Sequence, residues 1–257
     1  MAFACVKGFL SSGALTPDAI KVYDVRPEAY SNYIMLGVEA CGSAAEAVEF
    51  ADYVVLAVKP QQLDTALSSL GECEDFSGKV FVSFAAGVST GSICRSLERD
   101  VAVIRTMPNT PFLIGKGTMA VSRNSAVEKG DFEAVCSLFS CIANVVVLDE
   151  NMMNDVIALN GSSPAYVFRF FLAMYDAALK SGFTASQARE LILSTFEGAV
   201  AMLRRFDDPV QLLKNVTSPN GTTQASLESL DADDFEGVIS RCMDACTRRA
   251  RELSEQY

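Results

Sequence analysis

Six short runs of β-branched and aliphatic residues recur through the first half of the chain and then stop: KVYDV (21–25), DYVVLAV (52–58), VFVSFAA (80–86), VAVIRT (101–106), TMAVS (118–122) and NVVVLD (144–149). Helical periodicity fills most of the gaps between them. Buried strands alternating with helices predict βαβ units and a mainly parallel sheet covered on both faces. After Glu150 the strand pattern vanishes, and helices are predicted over 163–181, 184–205, 209–216, 222–230 and 233–255. Two domains, 1–150 and 151–257, suit a chain of 257 residues. The segment containing Ala165, Phe168, Leu172, Tyr175 and Leu179 is apolar on more than one side, so either several neighbouring helices or a second subunit must cover it.

The formal charge of −11 argues against a nucleic-acid partner, because phosphate binding needs clustered Lys and Arg. A small molecule fits better. The most apolar long stretch, Ala165 to Leu179, is broken by Arg169 and Asp176, so no membrane span is expected. MAFACVKGFL has no charged start leading into a clean apolar block and a cleavage site, so no signal peptide is predicted and a cytoplasmic location follows. Eight cysteines at 5, 41, 73, 94, 136, 141, 242 and 246 include no CxxC pair and are read as buried free thiols. With no histidine in the chain, the usual zinc sites and Ser-His-Asp or Cys-His catalysis cannot be built, and no metal is expected.

In an open α/β sheet, ligands lie outside the carboxyl ends of the strands. Asp24, ending the first run, is placed to accept hydrogen bonds from ribose hydroxyls, although Asp is also an ordinary turn residue. LAVKPQQ runs a strand into Lys59 and Pro60. Lys59 could face a phosphate or carboxylate there, and a helix opening at Pro60 explains the same residues equally well. Ala85, Ala86 and Gly87 end a strand without bulk, which permits either close approach of a flat ring or simply a tight turn. RTMPNTP (105–111) brackets an Asn-Thr pair with two prolines, and so rigid a loop points to a site. In the second half, NVTSPNGTTQASLESL (215–230) leads a polar loop into a helix whose start could seat a carboxylate or merely be capped by Thr222 or Thr223.

AVKPQ (57–61), SFAAGVS (83–89), RTMPNTP (105–111), GSSPAYVF (161–168) and TSPNGTT (217–223) resemble, in order and spacing, the signatures of the pyrroline-5-carboxylate reductase family. The resemblance implies a Rossmann-like dinucleotide-binding domain over 1–150, then a helical substrate and dimerisation domain over 151–257 that completes each active site across a homodimer or higher homo-oligomer. It implies NADPH or NADH as cofactor, held by Asp24, Arg26, Ala57, Val58, Lys59, Ala85, Ala86, Gly87, Met107, Pro108, Asn109 and Thr110. It also implies an imino acid substrate against Asn215, Ser218, Gly221, Thr222 and Thr223, the last being the catalytic hydroxyl. By the same resemblance, MAFACVKGFL is the helix after a first strand and glycine-rich turn that this chain lacks, so a misplaced start codon or a shortened chain is expected.

Other departures are Asn160-Gly161-Ser162-Ser163 in place of Ser-Gly-Ser-Gly, Asn220 in place of Gly, and Leu172 and Ser194 in place of Glu and Gln. If position 220 takes a left-handed conformation, Asn is the least costly replacement for Gly. Cofactor preference stays open, because Asp24 would repel a 2′-phosphate that Arg26 could pair with. Two alternatives remain: another small two-domain dehydrogenase, weakened by the absence of His, and a non-catalytic dimeric protein that has lost cofactor binding.

Overall fold

All six expected strands are present in the computed structural model, which describes residues 1–70, 73 and 75–255. The elements run α1 (Ala2–Ser12), β1 (Lys21–Val22), α2 (Tyr30–Ile34), β2 (Glu39–Ala40), α3 (Ala44–Phe50), β3 (Tyr53–Leu56), α4 (Pro60–Ser68), β4 (Val80–Ser83), α5 (Thr90–Ser96), β5 (Ala102–Pro108), β6 (Gly117–Arg123), α6 (Lys129–Ser140) and β7 (Ala143–Val147). Five helices follow: α7 (Ser163–Lys180), α8 (Ala185–Arg205), α9 (Pro209–Val216), α10 (Thr222–Ala232) and α11 (Phe235–Ser254). The chain divides into two compact units, Met1–Pro164 together with the segment from Ala245 onward, and Ala165–Asp244.

In the first unit, β3 to β7 form one sheet in sequence order, parallel throughout except for the antiparallel pair β5–β6. Strands β1 and β2 pair in parallel with each other as a separate two-stranded sheet. Alternation along β4 shows why the larger sheet needs cover on both faces. Phe81 joins Leu63, Leu67, Ile93 and Val103 on one side, whereas Val80 and Val82 join Cys5, Phe9, Ile104, Met119 and Phe139 on the other. Successive strand residues point to opposite faces, so a run with every residue buried is what a doubly covered central strand requires. Each such large side chain contributes about 1.5–3 kcal/mol by leaving water. Helix α1 serves both sheets, with Cys5 and Phe9 on the large one and Val6 among Tyr33 and Val38 beside the small one.

The second unit is built differently. Thr184 caps α8 through a reciprocal pair with Gln187, and Asp208 caps α9, which has Pro209 at its first position. Phe170 and Phe196 stack at 5.8 Å. Yet α7, α9 and α10 bury no residue, and α8 buries only Ala188 and Ile192. Val167, Phe168, Leu172, Leu191, Leu203, Val210, Leu213 and Val216 each leave half or more of their surface exposed. Neighbours within the chain therefore do not cover the apolar faces of these helices. Among described residues no helix is long and apolar enough to cross a membrane.

The cysteines form no disulfide among the described residues, but the expectation that they are buried holds only for Cys5, Cys41 and Cys73. Cys141 and Cys242 are exposed, and Cys246 is half-buried with its thiol donating to Ser162 Oγ at 3.2 Å.

Candidate active site

The register of the parallel strands aligns Leu56 with Ser83 and Ser83 with Arg105, so the chain leaves β3, β4 and β5 at one edge of the sheet. Ala57, Val58 and Lys59 follow β3, Ala85 to Gly87 follow β4, and Met107 to Thr110 close β5 and its exit turn. Lys59 is the N-terminal flanking residue of α4 with Pro60 at the first helical position, and its side chain is exposed. In the next turn Ser83 Oγ accepts from the Ala85 N–H at 3.2 Å, and Gly87 takes φ +80°, a conformation that side-chain-bearing residues seldom adopt. A methyl group at Gly87 would lie 3.6 Å from the Ala250 carbonyl, so the end of α11 backs this turn.

Asp24 and Arg26 follow β1. Arg26 donates to the Asp24 carboxylate from its backbone N–H, Nε and Nη2, each at 3.0 Å. The guanidinium holds the Asp24 pKa below the usual carboxylate value. Tyr30 fixes the Asp24 backbone, donating its hydroxyl to the carbonyl at 2.6 Å and accepting from the N–H at 3.1 Å. The two residues that would influence cofactor choice in opposite directions are thus engaged with one another.

The Asn109 side chain is fixed from two sides. Its Oδ1 accepts from the Thr118 N–H at 3.0 Å, and its Nδ2 donates to the Asn160 carbonyl at 3.4 Å. Asn160 lies in a π-helical turn, Ile157–Gly161, where the backbone widens by one residue before α7. Asn160 is buried, and its Nδ2 donates to the Met107 carbonyl at 2.6 Å while its Oδ1 has no hydrogen-bond partner. Gly161 lies against the Met107 methyl, which would have to turn aside for any side chain there.

A buried charge underlies the same loops. Arg105 is 4 % exposed in mid-sheet; its Nη2 donates to Asn154 Oδ1 at 2.6 Å and its Nη1 lies 3.9 Å from Glu150. Burial lowers the guanidinium pKa, and the Glu150 carboxylate opposes that shift. Glu150 also accepts the Thr90 N–H and hydroxyl, both at 2.7 Å, at the start of α5. Strand spacing flagged Arg105 only as part of a motif, and left Glu150, Asn154 and Asn160 without a role, because their partners lie far away in sequence.

In the second unit, Asn215 sits in the last turn of α9 with its Oδ1 engaged by Gln211 Nε2 at 2.8 Å, and Ser218 lies in the following loop. Asn220 adopts φ +58°, the left-handed conformation anticipated for it. The flanking cap of α10 is Gly221, not Thr222 or Thr223 as the sequence suggested. A side-chain carbon at 221 would crowd the Ser218 carbonyl at 3.0 Å and displace its hydroxyl, so the loop is tightly folded there. Thr222 and Thr223 are instead the first two helical residues, with backbone N–H groups that have no partner inside a helix start. The dipole there favours an anion.

An α/β sheet with small-residue turns at its carboxyl edge, followed by helices, is an architecture that two-domain oxidoreductases of the nicotinamide-dinucleotide type use. Residues 1–87 match the family model described as NADP oxidoreductase coenzyme F420-dependent, and residues 150–253 match pyrroline-5-carboxylate reductase dimerisation. The pyrroline-5-carboxylate reductase of Escherichia coli (strain K12) is 34% identical over 257 residues, 99% of this chain and 95% of the relative. The chain belongs to the pyrroline-5-carboxylate reductase family. Similar solved structures include a pyrroline-5-carboxylate reductase from Coxiella burnetii (TM-score 0.89, 29% identity, 98% of this chain and 94% of that one). Another, from Plasmodium falciparum with NADP bound, has TM-score 0.88 and 25% identity over 98% of this chain and 93% of that one.

Proposed function

We propose that the chain reduces 1-pyrroline-5-carboxylate to L-proline, the last step of proline biosynthesis, using NADPH or NADH. The observation that carries this reading is the convergence of the 57–59, 85–87 and 107–110 turns on one sheet edge, in a chain that matches the family over nearly its whole length. The residues present fit a dinucleotide: the turn at Ala85–Gly87 carries nothing larger than methyl groups, and Asp24 with Arg26 offers an acceptor and a cation for the ribose end. When bound, the reduced nicotinamide supplies the hydride.

The chain's own residues bind and orient. Ala57 to Lys59, Ala85 to Gly87 and Met107 to Thr110 seat the cofactor, with Asn109 immobilised by Thr118 and Asn160. The N–H groups at the start of α10, with Asn215, Ser218 and Gly221 shaping the loop, hold the substrate carboxylate. The Thr223 hydroxyl meets the ring nitrogen as its charge changes. With no histidine available, alignment of the reactants carries most of the rate, and near-attack geometry can supply about 7–11 kcal/mol.

Two copies form a dimer through the helical unit, supported by its match to a dimerisation domain and by the apolar side chains its helices leave exposed. Mixing the purified full chain with 1-pyrroline-5-carboxylate and NADPH or NADH should consume the reduced cofactor and yield proline. No turnover by an intact dimer would refute the enzyme and favour the non-catalytic reading.

A further inference from the structure

Asn160 has a feature that structural support alone does not account for. Its amide orientation is fixed, since only the NH2 end can donate to the Met107 carbonyl at 2.6 Å, and this leaves Oδ1 as the free end. That oxygen is buried, the residue being 6 % exposed, and it has no hydrogen-bond partner. An acceptor left unsatisfied in the interior is costly, and beside a site a donor that arrives with a ligand would satisfy it. The one other such side-chain oxygen among the described residues is Ser122 Oγ, in mid-β6 opposite Arg105.

We infer that Asn160 Oδ1 accepts a hydrogen bond from the carboxamide N–H of the bound nicotinamide and so fixes the rotation of that ring. This deepens the reductase reading and rests on it for the identity of the cofactor. The geometry favours this donor over others. Asn160 is bonded to Met107 and Asn109, two members of the loop assigned to the cofactor, and Gly161 is pressed against the Met107 methyl. The nicotinamide ring carries its N–H donors only on the carboxamide. The π-turn supplies the means, because its extra residue lets the Asn160 carbonyl and side chain reach two points of the loop, Asn109 and Met107. Ser, found here in relatives by resemblance, is too short to bond Met107 and keep an oxygen in the same place.

The test is calorimetric binding of the oxidised dinucleotide and of its 3-acetylpyridine analogue, in which a methyl replaces the NH2 and no donor remains. The wild-type chain should bind the analogue about two- to tenfold more weakly, the factor expected for one neutral hydrogen bond. In Asn160→Ala the natural cofactor should lose that factor and the gap between the two ligands should close. A purely structural asparagine would weaken both ligands equally and leave the gap intact, which overturns the proposal. Equal binding by the wild-type chain overturns it without any variant, so misfolding of Asn160→Ala does not protect it, and Asn160→Ser provides a second test of the same gap. Binding is measured without imino acid, so a chain that shows the gap but no turnover would refute the reductase reading and leave this contact standing.

Discussion

The two units solve the burial problem in opposite ways. In the sheet unit, Phe81, Val103, Ile104 and Met119 are fully enclosed by the chain's own elements. In the helical unit, Phe168 and Val210 remain 60% and 61% exposed, although their helices are as strongly periodic as those of the sheet unit. Periodicity alone makes a helix amphipathic; it does not say whose surface its apolar side will meet. The first unit encloses a core of its own, whereas the second leaves apolar helix faces that, on our proposal, a second copy covers.

Truncating the sheet core should give the largest effect. Phe81→Ala removes a ring enclosed by Phe76, Leu63 and Ile93, and is expected to cost about 3–5 kcal/mol in denaturant unfolding. A loss below about 1 kcal/mol would deny the sheet unit its self-sufficient core. Next, Phe168→Glu places a charge on the apolar side of α7 and should weaken association by about 2–4 kcal/mol while leaving the sheet unit folded. Light scattering that still finds a tight dimer would break the contrast, because it would mean that this face does not serve association.

Thr223→Ala sharpens the functional side of the same comparison. It should lower kcat by about a hundredfold, the low end of what one proton-handling group contributes, with little change in the melting curve. Unchanged turnover would remove the hydroxyl from the mechanism. The smallest effect is expected at the Asp24–Arg26 pair. Asp24→Asn should free Arg26 and raise kcat/KM for NADPH relative to NADH by about threefold to tenfold. Because Arg26 holds the Asp24 pKa low, the pair's contribution to stability is present above the unfolded-state value of about 3.9. It is lost as the pH falls through the folded value below that. Acid titration followed at Tyr30 should therefore show no transition of this pair near neutrality.

Most of the architecture was legible because it depends on local patterns. The end of each helix after Pro164 falls within two residues of its expected position, marked by Thr184, Asp208, Pro209 and the break at Gly221. Strand β2 escaped notice because Glu39 and Ala40 are only two residues long and carry no apolar run; pairing with Lys21 and Val22 defines them. The antiparallel turn into β6 is likewise a tertiary outcome. At the site, the loops were legible from their position after strands, and the left-handed Asn220 from its side chain. Arg105 and Asn160 were visible only as members of motifs and Glu150 not at all, since hydrogen bonds spanning 49 to 60 residues leave no trace in spacing.

The carboxylate of Glu150 has a mechanical consequence. By grasping both the amide and the hydroxyl of Thr90 while standing beside Arg105, it rivets the turn after β4, the middle of β5 and the segment at Asn154 into a single block. The 85–87 and 107–110 turns, proposed to seat the nicotinamide, thereby share one buried support.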